Sequence, residues 1–162
     1  MAGEFKLALE AFAKKAGDRA DAVVSTVVQD VVREIDGRSP VGKAERWAAN
    51  IERAKRGKPP LPAGYVGGRF RGNWQLGVDE LIGTEIDRTD ATGTGTVAAN
   101  IAGLPAAAAS HNYFLSNNLP YAQRLESGHS KQAPPGFMVG GTVLKFTQIV
   151  NDAVADAKAA HP

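Results

Sequence analysis

Val24, Val27, Val28, Val31 and Ile35 recur at steps of three and four residues, with Gln29, Asp30, Arg33 and Glu34 between them. That period lays one apolar stripe along an α-helix, predicted over residues 18–36, and the stripe has to be covered by another part of the chain. Gly37 follows where a C-terminal cap belongs, and Pro40 stops propagation. Residues 5–15 also read as helical, with Gly17 as the expected break between the two pieces.

The covering surface is expected at the far end. Val139, Val143, Phe146, Val150, Ala153 and Val154 fall on one face of a helix, and Lys145, Asn151, Asp152 and Asp156 fall elsewhere. This predicts a long C-terminal helix with a core-facing stripe. Between the helical ends, "RFRGNWQLGV" (69–78) alternates Trp74, Leu76 and Val78 with polar or small residues, the period of a half-buried strand with Trp74 in the core. Residues 94–101 and 112–116 are two more strand candidates. "GTEIDRTDATGTGT" (83–96) reads as an exposed loop or hairpin arm, and "AGLPAAAAS" (102–110) as a short helical turn opened by Pro105.

The order of elements argues an α+β fold: a small antiparallel sheet of about three to four strands on a long C-terminal helix, with N-terminal helices and a long basic insertion. At 162 residues one domain is expected over 1–162, comprising an N-terminal helical region (1–37), the insertion (39–68), and the sheet with the final helix (69–162).

The insertion is stiff and kinked, since "KRGKPPLPAGYVGG" (55–68) alone holds three Pro and four Gly. Its middle, "AERWAANIERAKR" (44–56), reads as a short amphipathic helix through Trp47 and Ile51. Such an excursion is expected to be mobile in a monomer and to order on assembly. Charge concentrates there: residues 38–71 hold nine Lys/Arg against Glu45 and Glu52, whereas residues 79–90 hold five acids against Arg88. A one-sign patch of this kind serves solvation, nucleic acid or an acidic protein surface.

Several chemistries are disfavoured. No apolar run approaches the roughly 18 residues of a membrane span, and the first residues mix charges among apolar positions, unlike a signal peptide, so a cytosolic location is expected. The chain has no cysteine, which removes disulfides, thiolate metal ligands and a thiol nucleophile. "GRSPVGKA" (37–44) imitates a phosphate loop. However, Ala44 stands where a magnesium-binding hydroxyl belongs, a helix precedes the motif, and Pro40 deletes a backbone donor. Glu126, Ser127, His129 and Ser130 suggest a hydrolase, but no nucleophile elbow surrounds Ser127, and triads are defined by geometry, not adjacency. His111 and His161 complete the histidines, and no metal-ligand spacing stands out. No catalytic, cofactor or metal residue is assigned.

The stretch "PYAQRLESG" (120–128) reads as a short helix opened by Pro120 and stopped by Gly128. "SKQAPPGFM" (130–138) follows as a proline-stiffened connection suited to docking. "SPV" (39–41), "GRFRGNW" (68–74), "NNLPYAQRLESGHSKQAP" (117–134) and "GFMVGGTVLKF" (136–146) together resemble the tail-completion proteins of long-tailed bacteriophages, the family that includes minor tail protein Z of lambda-like phages. The resemblance covers four blocks, in order, over roughly two-thirds of the chain. It implies a non-enzymatic structural protein of the virion, assembled in the bacterial cytoplasm. Such a protein forms a homo-oligomeric ring, sixfold if it matches the tail tube, at the head-proximal end of the tail. There it contacts the tail terminator and the neck, stopper or connector proteins, and completes the tail for joining to the head. Many members run "SPVDTGRFR" without interruption, so the insert "GKAERWAANIERAKRGKPPLPAGYVG" (42–67) is a departure whose role does not carry over.

Two roles are open for the insert. Arg53, Lys55, Arg56 and Lys58 are candidates to meet phosphates of genomic DNA in a ring lumen, or an acidic neighbour such as the 79–90 segment of the next subunit; the second is preferred, because a channel that grips DNA opposes its release. Further interface candidates are Arg69, Arg71, Tyr121, Arg124, Glu126, His129 and Gln132. Tyr121 is also read, with Leu125, as packing beneath the sheet. The alternative function is a small DNA-binding protein that uses residues 43–71.

Overall fold

A computed structural model describes residues 2–130 and 132–160. It is α+β: α1 (Ala2–Arg38), α2 (Ala48–Lys55), α3 (Arg69–Gly72), β1 (Trp74–Val78), α4 (Thr94–Ala102), β2 (Tyr113–Asn117), α5 (Ala122–Glu126) and α6 (Val139–Ala160). Short 3-10 turns at Ala44–Arg46 and Ala108–Ser110 complete the elements. Among the described residues the sheet has two strands, antiparallel, with Trp74 opposite Asn117 and Val78 opposite Tyr113. A two-stranded ribbon is marginal alone, so this one depends on the helices around it.

The count of about three to four strands is therefore too high, and the reason is chemical. The outer edge of β1 is occupied by side chains in place of a third backbone. Asn100 on α4 accepts from Leu76 N–H at 3.0 Å and donates to Trp74 C=O at 3.0 Å, mimicking a strand's peptide group. Arg88 donates to the carbonyls of Gly72 and Trp74. The 82–96 segment runs alongside without a ladder, its backbone held by Asn73, Gln75, Ser116 and Asn118.

The strand expected at 94–101 is instead α4. Its buried positions Gly93, Thr96 and Asn100 and half-buried Val97 and Ile101 step by three and four residues, which is helical period carried partly by polar side chains. Asp90 fixes its start. One carboxylate oxygen accepts from the N–H groups of Thr92 and Gly93 and from the Thr92 hydroxyl, and the other accepts from the N–H and hydroxyl of Thr96. Burial pushes the Asp90 pKa up, but these donors outweigh it and hold the carboxyl well below the usual range. Gly93 (φ 82°) turns the chain here; a Cβ on it would strike the Asp36 carboxylate.

The N-terminal pieces are one helix, continuous through Gly17 and Gly37, and not two helices broken at Gly17. Nothing approaches Gly17 within contact distance, so glycine there costs helix propensity but breaks nothing. The C-terminal half of α1 packs along α6. Glu34 ties the two, accepting from Lys145 Nζ at 2.9 Å and from Arg38 Nε at 2.6 Å. These bonds, that from Lys145 foremost, hold the Glu34 carboxyl below its ordinary pKa against the opposing effect of burial.

The main apolar cluster joins Ile35, Phe70, Trp74, Leu119 and Met138, with Val31, Leu115, Ala122, Leu125 and Phe137 against it. Trp74 is core, as expected, and its indole N–H donates to Ser39 Oγ at 2.7 Å, which in turn donates to Ile35 C=O. The stripe expected to bury α6 holds only in its second half, where Ala153 is buried and Val150 and Val154 are half-buried. What α6 buries is Thr142, Ala153 and Ala157, small enough for close helix approach. Val139, Val143 and Phe146 remain exposed, and Leu144 is 88% exposed.

Candidate interaction surface

The Glu-Ser-His-Ser cluster spans the C-terminal end of α5 and the connection after it, and each group has its own task. Glu126 reaches the N-terminus of α6: one oxygen accepts from the N–H of Met138 and of Val139 at 3.2 Å, the other from Gly140 N–H at 3.0 Å. A carboxylate there satisfies three orphan donors and faces the positive end of the helix dipole. Ser127 Oγ donates back to Gln123 C=O, and His129 Nδ1 lies 3.1 Å from Arg124 C=O. Ser130 Oγ accepts from Gln132 N–H. Among the described residues no hydrogen bond links Ser127 to His129. Gly128 (φ 85°) turns the chain against Pro135, which occupies the space a Cβ would need.

Three interface candidates converge. Arg69, Tyr121 and Gln132 line a cleft of about 220 Å³ together with Pro40, Tyr65 and Phe70. Arg69 also reaches Glu85 and Asp87 of its own chain at 3.4 Å each, on the surface, where such pairs contribute little. Tyr121 stacks at a tilt 6.2 Å from Phe70, and burial raises its phenol pKa. Arg124 and His129 are exposed nearby in sequence. Tyr65 was not singled out in the sequence; its only signal was an aromatic inside a Pro/Gly-rich run.

Arg71 and Glu126 are instead engaged internally. Arg71 donates to the carbonyls of Gly37, Ser39 and Ala91, and its Nε lies 3.6 Å from the Asp36 carboxylate. Asp36 is only 4% exposed, and its second oxygen has no hydrogen-bond partner. Burial, partly offset by Arg71, pushes its pKa up to about 6. This contact joins α1, α3 and the start of α4.

Residues 42–67 form a lobe organised by one buried amide. Asn50 donates to Ala44 C=O and Leu61 C=O and accepts from Leu61 N–H, all within 2.9 Å. Trp47 meets Tyr65 edge-on at 4.8 Å, and Gly67 lies against the Gly42 carbonyl, so the two ends of the insertion pinch together. The helix expected through Trp47 and Ile51 is present as α2, with Trp47 at its N-cap, though both side chains are largely exposed. Of the basic candidates, Arg53 donates to Pro59 C=O and Lys55 pairs with Glu52. Arg56 and Lys58, with Lys43 and Arg46, make no side-chain hydrogen bond or ion pair among the described residues. The four basic candidates of the insertion do not line the Tyr121 cleft.

The acidic segment proposed to meet them is partly committed. Asp90 caps α4, and Asp79 accepts from Asn112 N–H and pairs with His111 at 2.6 Å, which keeps its pKa low. Glu80, Glu85 and Asp87 remain exposed. Among the described residues no cluster of metal-binding side chains occurs, and no helix is long and apolar enough to cross a membrane. No protein-family model, curated protein or solved structure matches this chain.

Proposed function

We propose that this chain is a structural assembly protein of a long-tailed phage, without catalysis, that forms a ring at the head-proximal end of the tail and completes it for joining to the head or neck. The observation that carries the reading is the convergence of the four resembling blocks on one junction. Ser39 of the first block bonds Trp74 of the second, and Phe70 and Trp74 pack with Leu119 of the third and Met138 of the fourth. Glu126 of the third block caps the helix that the fourth begins. Blocks that lie far apart in sequence thus contribute to one local structure, which supports reading them together. The Tyr121 cleft and the exposed basic lobe are the surfaces offered to neighbouring proteins, the tail terminator on one side and the neck or stopper on the other.

Imaging tests this. Labelled protein mixed with its phage's tails is expected at the head-proximal tip as a ring, sixfold if it follows the tube. Labelling along the tube, at the distal tip or nowhere would overturn the proposal.

The DNA-binding reading is favoured by one observation, the unpaired Lys43, Arg46, Arg56 and Lys58 on the lobe. Duplex binding in the micromolar range at physiological salt, falling steeply as salt rises, would put that reading first. The assembly reading expects only weak binding there.

A further inference from the structure

Every residue from Gly3 to Asp18 is exposed, so the first half of α1 projects from the body as an arm of about 24 Å. It is not a polar arm. Phe5, Ala8, Leu9, Phe12 and Ala16 follow steps of three and four residues, and Phe5 and Phe12 are 72% and 70% exposed. The stripe continues in phase with Ala20, Val23 and Val27, on the part of α1 that packs with α6. It is therefore the same helix face, running on past the end of its partner. An isolated helix of about 16 residues is marginal in water, and large apolar side chains held in solvent are a signature of an unmet contact.

The same chain carries open apolar surface next to the arm's root. One cleft of about 330 Å³ is walled by Ala20, Val23, Val24, Val154 and Ala157. A second, of about 420 Å³, is walled by Val27, Val28, Val31, Leu76, Leu115 and Phe146. Both are lined by successive stretches of α1 and by α6, and both fall in the size range of clefts that seat a ligand or anchor side chains.

We infer that the occupant of these clefts is the arm of a second copy of this chain, with the Phe5, Leu9 and Phe12 stripe laid against α1, β2 and α6 of its neighbour. Pairing arm with arm would cover the stripe and leave both clefts open; arm on cleft covers both. Two phenylalanines, Leu9 and the alanines between them remove about 500 Å² of arm surface from water. The cleft loses a like amount, giving about 1,000 Å² in all, the lower limit of a specific interface. The contact joins different patches on the two partners, so it is heterologous and propagates around a ring when the rotation closes. It deepens the ring reading by assigning the surface through which copies join, and it rests on that reading only for closure and copy number.

Sedimentation velocity from micromolar to near-millimolar concentration tests it. The full chain is expected to self-associate with rising concentration, whereas F5D/F12D stays monomeric with unchanged circular dichroism and melting, because Phe5 and Phe12 are exposed and no described residue covers them. F146D, at the cleft, is also expected to be monomeric alone. Mixed one to one, the two variants regain a single good interface, arm of one on cleft of the other, and stop at dimers. A parent that stays monomeric throughout, an F5D/F12D variant or an F146D variant that associates like the parent, or a mixture that stays monomeric overturns the inference, an associating F146D by indicating arm-to-arm contact.

Should F146D fail to fold, a photo-crosslinker on Ala13→Cys in the otherwise cysteine-free chain decides. Inter-chain links to residues 27–32, 111–115 or 146 support the contact, and links to residues 3–18 refute it. If association is unaffected by the arm variant while the protein still joins tails, this inference fails and the ring survives; if the arm drives association but tails are never joined, the reverse holds.

Discussion

Glu126 belongs to a five-residue helix, yet its two oxygens collect three N–H groups from another. Its removal should fray α6 where that helix meets the core at Met138. Glu126→Ala is expected to cost about 1–2 kcal/mol in denaturant unfolding, and Glu126→Gln less, since an amide keeps an acceptor but loses the charge facing the dipole; no change in either would refute the capping role. Asp36 makes a pH-dependent contribution. Its folded pKa is raised, so its contribution to stability is fully present below the unfolded value near 4 and is lost as pH rises through about 6. Asp36→Asn removes that dependence: relative to the parent it should gain on the order of 2–3 kcal/mol between pH 4 and pH 7. A pH-independent difference would mean that Arg71 keeps the carboxylate fully ionised. The sequence displayed the titratable cluster around Glu126 but not its use, because the partners lie 12 to 14 residues further on and are backbone groups.

At the scale of elements, the amphipathic half of α1, the strands on either side of Trp74 and Leu115, the short α5 and the long α6 were legible from periodicity. The third strand was not, and α4 shows why. Thr94, Thr96, Val97 and Ile101 are β-formers, but Asp90 caps the segment as a helix and Asn100 lends its amide to the strand edge. Local propensity lost to tertiary hydrogen bonding. The insertion shows the same limit. Its composition predicted an excursion, and it is one, but Asn50 knits it into a lobe. Asn50→Ala leaves buried carbonyls unsatisfied and should cost about 2 kcal/mol within the lobe. Hydrogen exchange should accelerate across residues 48–61 while residues 74–78 keep their protection. Unchanged exchange in the lobe would show that Asn50 does not hold it together.

For the whole molecule, the notable quantity is the apolar surface left uncovered. Phe5, Leu7, Phe12, Val143 and Leu144 are all more than 60% exposed. The periodicities that predicted amphipathic helices at both ends were sound; the α1 stripe over 24–35 is buried or half-buried in this chain, whereas Val139, Val143 and Phe146 of the α6 stripe stay exposed. A sequence records that a face is apolar; it does not record whether the cover is internal. That difference separates a self-contained domain from an assembly component, and the uncovered surface supports the proposed assembly role. The most direct test is joining itself. In an infection lacking this chain, DNA-filled heads and finished tail tubes are expected to accumulate apart, and adding the purified protein should restore infectious particles. Normal particle yield without it, or separated heads and tails that it fails to join, would contradict the account.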